Sequence, residues 1–152
     1  MIKKYFPVQS QRSSILYGNY IEKVLHQIAY TKTNQHHIQG FPHQVDLCYK
    51  INDTIYYLEV KTNLRLDSEK IKATVYKLNK AKEILQRTHP DHKVHCLILN
   101  PLCTTSDIQV KLHKNIRDNS IGIDRFFQSL NLNISFDEWI SELQSKYIIV
   151  ID

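Results

Sequence analysis

Gln44-Val-Asp-Leu-Cys-Tyr-Lys-Ile51, then Asn52-Asp53, then Thr54-Ile-Tyr-Tyr-Leu-Glu-Val-Lys61 is the stretch that decides the fold. Both flanks are rich in β-branched and aromatic residues, which suit a pleated surface. Asn-Asp between them is turn chemistry, because both side chains tolerate a positive φ. The stretch therefore predicts a β-hairpin. Side chains alternate across a strand. On the first strand Val45, Leu47, Tyr49 and Ile51 share one face, and Gln44, Asp46, Cys48 and Lys50 the other. On the second, Tyr56, Leu58 and Val60 oppose Ile55, Tyr57, Glu59 and Lys61. A two-residue loop sets Asp46 opposite Glu59 and Gln44 opposite Lys61, and a four-residue loop gives the same pairing. A three-residue loop slips the register by one and mixes apolar with polar faces, so the pattern requires the even loop.

Two carboxylates facing each other across a sheet, with Cβ atoms about 5 Å apart, repel and weaken the hairpin. Such a pair is tolerated in water, or with a divalent cation between the two acids. Mg²⁺ is a hard cation that takes one or two carboxylates, several waters and substrate phosphate oxygens. Lys61 projects from the same face and can orient an attacking water or offset phosphate charge. Two acids and a lysine on one sheet face are what metal-assisted phosphodiester hydrolysis requires. A solvated sheet face with a Glu–Lys pair is the plainer alternative. The acid-x-Lys pattern occurs twice, at Glu59-x-Lys61 and Asp91-x-Lys93. The second follows Pro90 in a loop, with no hairpin and no upstream acid to partner it.

Outward from the hairpin, Tyr17, Ile21, Val24, Leu25 and Ile28 form an apolar stripe at helical spacing, predicting a helix from about Ser14 to Tyr30. Residues 31–43, polar and holding Gly40 and Pro42, read as a loop. A second helix is expected from about Asp67 to Arg87, stopped before Pro90. Its stripe is Ile71, Val75, Leu78 and Leu85. Lys70, Lys72, Lys77, Lys80, Lys82 and Arg87 occupy the remainder, as a solvated face or a phosphate-tracking surface. Val94 to Leu99 is a short apolar strand, and strand–helix–strand suggests a right-handed crossover to a parallel neighbour. The tail offers a helix near Ile121–Leu130. Another follows Ser135, where Ser135 and Glu138 match a capping box. Tyr147 to Ile151 reads as a last strand. The expectation is one α/β domain over 1–152 with a mixed sheet, its core at about 14–100 and an extension at 101–152.

A chain of 152 residues suits a single core. No apolar run approaches the ~20 residues that span a bilayer, and the N-terminus lacks the apolar stretch of a signal peptide. Cys48, Cys96 and Cys103 are an odd, sparse set that suits a reducing compartment. A cytoplasmic protein with no membrane partner is expected. The net charge of +5 permits a polyanionic partner. His89, His92 and His95 with Cys96 match no familiar ligand spacing. Tyr49, Tyr56 and Tyr57 read as sheet-packing residues, although an exposed Tyr57 can stack on a base.

Asp46, twelve intervening residues, then Glu59-Val60-Lys61 in a hairpin preceded by a helix and followed by helix and strand resembles the PD-(D/E)xK nuclease superfamily. That group includes type II restriction endonucleases and the archaeal-type Holliday junction resolvases. The resemblance implies a restriction-endonuclease-like core in the order α-β-β-β-α-β. It also implies that Asp46 and Glu59 bind Mg²⁺, with Mn²⁺ as a substitute, and that Lys61 is the catalytic lysine. Several members add a glutamate from the first helix, and Glu22 matches by position. Gly18-x-x-x-Glu22 is similar to the resolvase spacing. Val45, not proline, precedes Asp46, and Pro42 stands four residues before it. The implied activity is Mg²⁺-dependent endonucleolytic cleavage of duplex DNA, most like a small type II restriction enzyme. A palindromic target implies a homodimer. Residues 31–43 and 101–120 are the expected groove readers. A junction resolvase and a non-catalytic DNA-binding subunit are the rivals, and branched DNA and RNA stay open as substrates.

Overall fold

The computed structural model describes residues 2–6, 17–62, 68–111 and 114–146. Strands β1 (Leu47–Ile51) and β2 (Thr54–Val60) pair antiparallel from Leu47↔Leu58 to Ile51↔Thr54, which leaves Asn52-Asp53 as the two-residue loop. Asn52 takes the left-handed conformation, φ 52, which asparagine accepts more readily than most residues. β1 is shorter than expected: the ladder opens at Leu47, and Gln44 to Asp46 precede it. Helix α1 (Tyr17–Lys32) comes before the hairpin. Helix α2 (Ser68–Thr88) follows it and carries the chain to β3 (Lys93–Asn100), which lies parallel to β2. β4 (Ser120–Gly122) adds parallel to β3, so the mixed sheet runs β1-β2-β3-β4. Between α1 and β1, Gln35 bridges Tyr49, and the His36 N–H donates to the Cys48 carbonyl at 2.8 Å. The first of the three strands in the implied order is thus a single bridge on the outer edge of β1. The expected start of α1 at Ser14 and the expected strand Tyr147–Ile151 lie outside the described residues.

Both faces of the sheet are covered. Leu47, Tyr49, Leu58 and Leu99 meet Ile21, Val24, Leu25 and Ile28 of α1 in one core, which continues through Phe126, Phe127 and Trp139. On the opposite face Cys48, Ile55, Tyr57, Cys96 and Ile98 pack against Leu78, Ala81 and Leu85 of α2. The face assigned to Gln44, Asp46, Cys48 and Lys50 as a polar one is therefore corrected, since α2 lies over it and buries Cys48 and Tyr57 completely. Sheets with crossover helices on both faces bury their inner strands on both sides.

Region 101–120, expected to read a DNA groove, forms α3 (Thr105–Lys111), α4 (Lys114–Arg117) and the start of β4. Ile108 and Ile116 are buried and tie these elements down. Asp124 of α5 (Ile123–Ser129) accepts hydrogen bonds at 2.8 Å from both the N–H and the hydroxyl of Thr105. α5 begins later than the sequence suggests because Ile121 and Gly122 belong to β4. Helix α6 (Phe136–Lys146) starts as expected, with Ser135 Oγ accepting from the Glu138 N–H at 3.1 Å. The indole of Trp139 donates to the Pro101 carbonyl at 2.6 Å and seats α6 on the chain leaving β3.

Candidate active site

The entry to β1 and the exit of β2 lie side by side, and there the predicted residues meet. Asp46 stands one residue before the ladder. Its Oδ2 accepts a hydrogen bond from the Val60 N–H at 2.8 Å, so a side chain takes over where the strand pairing stops. Glu59 points beneath α2 and is 7% exposed. A buried carboxylate is costly unless it is paired, and Glu59 has three partners. The Tyr57 hydroxyl donates to Oε2 at 3.2 Å. Lys77 Nζ of α2 lies 3.0 Å from Oε1 and 3.0 Å from Oε2. Lys61 Nζ lies 4.0 Å from Oε1. The Lys61 backbone still donates to the Leu99 carbonyl at 3.0 Å, while its side chain is 35% exposed and reaches outward. Glu59 therefore does not lie on a solvated sheet face.

α1 presents Glu22 to the same place. Its carboxyl is held above the usual range, first by burial and then by the neighbouring Asp46 carboxylate. One turn on, His26 Nε2 hydrogen-bonds the Asp46 carbonyl and lies 3.9 Å from Glu22 Oε1. Glu22, Asp46, Glu59 and Lys61 are thus brought together. Gly18 has nothing within 4 Å of an added Cβ, so packing does not require a glycine there.

Other expectations are corrected. Gln44 is exposed and precedes the ladder, so it does not pair opposite Lys61. Tyr57 is fully buried and offers no stacking surface; burial, then the adjacent Glu59, raises its hydroxyl pKa. Lys77, read with the other α2 lysines as surface, turns inward instead. The buried stripe of α2 contains Leu78 and Leu85 as expected, with Ile71 partly buried against the same core, and it also takes in Thr74, Ala81 and Ile84. Lys77 follows Thr74 at i+3 and precedes Ala81 at i+4, so it shares that stripe. That spacing was the signal available in the sequence. His26 had a similar signal, four residues after Glu22.

Among the described residues His89, His92, His95 and Cys96 do not form one site: His92 packs on His89 at 5.3 Å, and His95 is turned elsewhere. The His95 ring stacks on Tyr56 at 5.3 Å, whereas His89 Nε2 lies 3.2 Å from His36 Nε2. Burial pushes the thiols of Cys48 and Cys96 up to about 12, so neither is a nucleophile near neutral pH.

The donors at the Asp46–Glu59 site are carboxylate oxygens, which suit a hard divalent cation. Acid crowding, felt by Glu22, is what such a cation relieves. Among the described residues no three His, Cys, Asp or Glu side chains form a ready-made metal cage. Mg²⁺ does not need one, because water and phosphate complete its shell. The residues present fit Mg²⁺.

A mixed sheet with an antiparallel hairpin, a parallel crossover through α2, and acids and a lysine at one end describes a nuclease of restriction-endonuclease-like fold. The chain belongs to the type II restriction endonuclease family HinfI, whose family model matches residues 2–138. It is a hydrolase that cuts DNA. No curated protein and no solved structure matches the chain.

Proposed function

We propose that this chain is a single-domain, Mg²⁺-dependent type II restriction endonuclease of the PD-(D/E)xK type, and that it cleaves duplex DNA at the Asp46–Glu59–Lys61 site. The observation that carries the reading is the meeting of Asp46 and Glu59 at one end of the sheet, with Lys61 Nζ 4.0 Å from Glu59. Asp46 and Glu59 hold Mg²⁺, for which Mn²⁺ can substitute. When bound, the ion supplies an acidified water and neutralises developing phosphate charge. Asp46 is oriented for this by the Val60 N–H, and Glu59 by Tyr57 and Lys77. Lys61 anchors its backbone on Leu99 and extends its ammonium to solvent, where it meets the scissile phosphate or the attacking water. Glu22 adds a third carboxylate beside Asp46. A palindromic target is cut by two copies. Among the described residues no helix is long and apolar enough to cross a membrane, and the sparse cysteines favour the cytoplasm.

The test is cleavage of unmodified phage DNA with Mg²⁺, beside a Lys61→Ala protein and a metal-free control. Discrete bands that require both Mg²⁺ and Lys61 are expected, with a loss of at least about 10²-fold in the variant, as for other charge-stabilising groups. Cleavage of four-way junctions alone would replace this reading with that of a resolvase. Inactivity on every substrate would favour a binding subunit.

A further inference from the structure

We infer that Lys77 is a positioning residue that governs how tightly Glu59 accepts a divalent cation. The inference rests on the reading of Glu59 as a metal ligand. Lys77 Nζ stands 3.0 Å from both Glu59 oxygens, nearer than Lys61 at 4.0 Å. The Lys77 side chain is 18% exposed, half the exposure of Lys61. It rises from the middle of a 21-residue helix, and its flanking stripe residues Thr74, Leu78 and Ala81 are buried. The ammonium therefore cannot swing into solvent without exposing or bending its own stem.

Two consequences follow from charge. In the metal-free protein Lys77, together with the Tyr57 hydroxyl, fixes the rotation of the buried Glu59 carboxylate. An unpaired charge at that depth is strongly disfavoured. When a divalent cation arrives, it meets a carboxylate whose two oxygens already face another cation. Like charges repel most at short range and low dielectric, so Lys77 must release at least one oxygen. The lysine pre-orients the ligand and competes with the ion for it. Lysine is the residue suited to that exchange, because its ammonium is a point charge. An arginine fork grips both carboxylate oxygens at once.

The experiment is calorimetric titration of the DNA-free full chain with Mn²⁺ at pH 8, for the unsubstituted protein, Lys77→Met, Lys77→Arg and Glu59→Gln. Lys77→Met keeps the apolar stem and removes the competing charge, so its Mn²⁺ affinity should rise about tenfold, the size of one charge-assisted interaction. Lys77→Arg should bind Mn²⁺ several-fold more weakly. Opposite shifts in the two variants support the inference, because a merely structural lysine gives weaker binding in both. Equal shifts, or no shift, overturn it. Should Lys77→Met fail to fold, Lys77→Gln takes its place beside Lys77→Arg: higher Mn²⁺ affinity in Lys77→Gln supports the inference, and unchanged or lower affinity there overturns it. Glu59→Gln separates the two levels. Undiminished Mn²⁺ binding in that variant removes Glu59 as a ligand and the inference with it. Lost binding there, with unshifted lysine variants, removes only the role of Lys77.

Discussion

At the scale of the residue, Glu22 shows how the site trades stability for chemistry. Its carboxyl is raised above the ordinary glutamate value of about 4.3, first by burial and then by Asp46. A raised carboxyl means that the fold disfavours the charged form. The penalty is absent below the unfolded value and is fully present once pH exceeds the folded one. Glu22→Gln should therefore raise Tm at pH 8 and leave it unchanged at pH 4, while DNA cleavage falls. Scanning fluorimetry at the two pH values and a plasmid assay at pH 8 check both halves; an unchanged Tm at pH 8 would sink the argument. Stabilising substitutions that reduce function are typical of strained sites. Glu22 was legible mainly through the family resemblance, since its own spacing set it only at the edge of an apolar stripe. Asp46 and Glu59 were legible from strand alternation alone. Lys77 offered only its spacing with Thr74 and Ala81, which places it on the inward side of α2 without showing that it meets a buried acid.

Elements show why the tail was harder to read than the hairpin. β4 has three residues, too few for a period-two pattern, and Gly122 at its end is its one marked feature. A Cβ on Gly122 would stand 2.3 Å from the Thr104 carbonyl carbon and 2.4 Å from both Cys103 O and Thr105 N. All three are backbone atoms and cannot rotate away. Gly122→Ala should cost about 1–3 kcal/mol, the usual range for overpacking, read as a lower urea midpoint with unchanged slope. On the opposite sheet edge, the segment before β1 is fastened by the Gln35 bridge and the His36 contact with His89. The His36 ring is held below the ordinary histidine value, first by burial and then by His89. A lowered histidine pKa makes the fold favour the neutral ring, so this contribution is lost as pH falls through the unfolded value of about 6.5. A protonated His36 Nε2 can no longer accept a hydrogen bond from His89. Intrinsic exchange slows as pH falls, so the His36 amide, bonded to Cys48, should lose protection relative to that baseline below pH about 6. The core amides should keep theirs. Equal protection for both would refute the fastening role.

Among the described residues one acid–acid–lysine set comes together, at Asp46, Glu59 and Lys61, and a duplex has two strands. The mixed sheet with flanking helices was legible because the hairpin, the α2 pattern and the β3 run each pointed to it. Coverage of both faces was not, since Asp46, Lys50, Glu59 and Lys61 gave the α2 face a polar look in the sequence. The structure hides Glu59 on that face and leaves Lys61 at the rim. A site open only at one end of the sheet can address one phosphate at a time. On the proposed reading, a palindrome is cut by two copies related by a two-fold axis, each working on its own strand. Co-expressing a tagged intact chain with an untagged Lys61→Ala chain, and purifying the mixed species, puts this to the test. If the active form is a homodimer with one site per strand, the mixed dimer nicks supercoiled plasmid at the target and accumulates open circles. The intact dimer gives linear DNA directly. If one chain cuts both strands in turn, the tagged chain recovers no partner and its product remains linear. The distribution of open-circle and linear product over the first turnover therefore reports how many copies of this site one cleavage event uses.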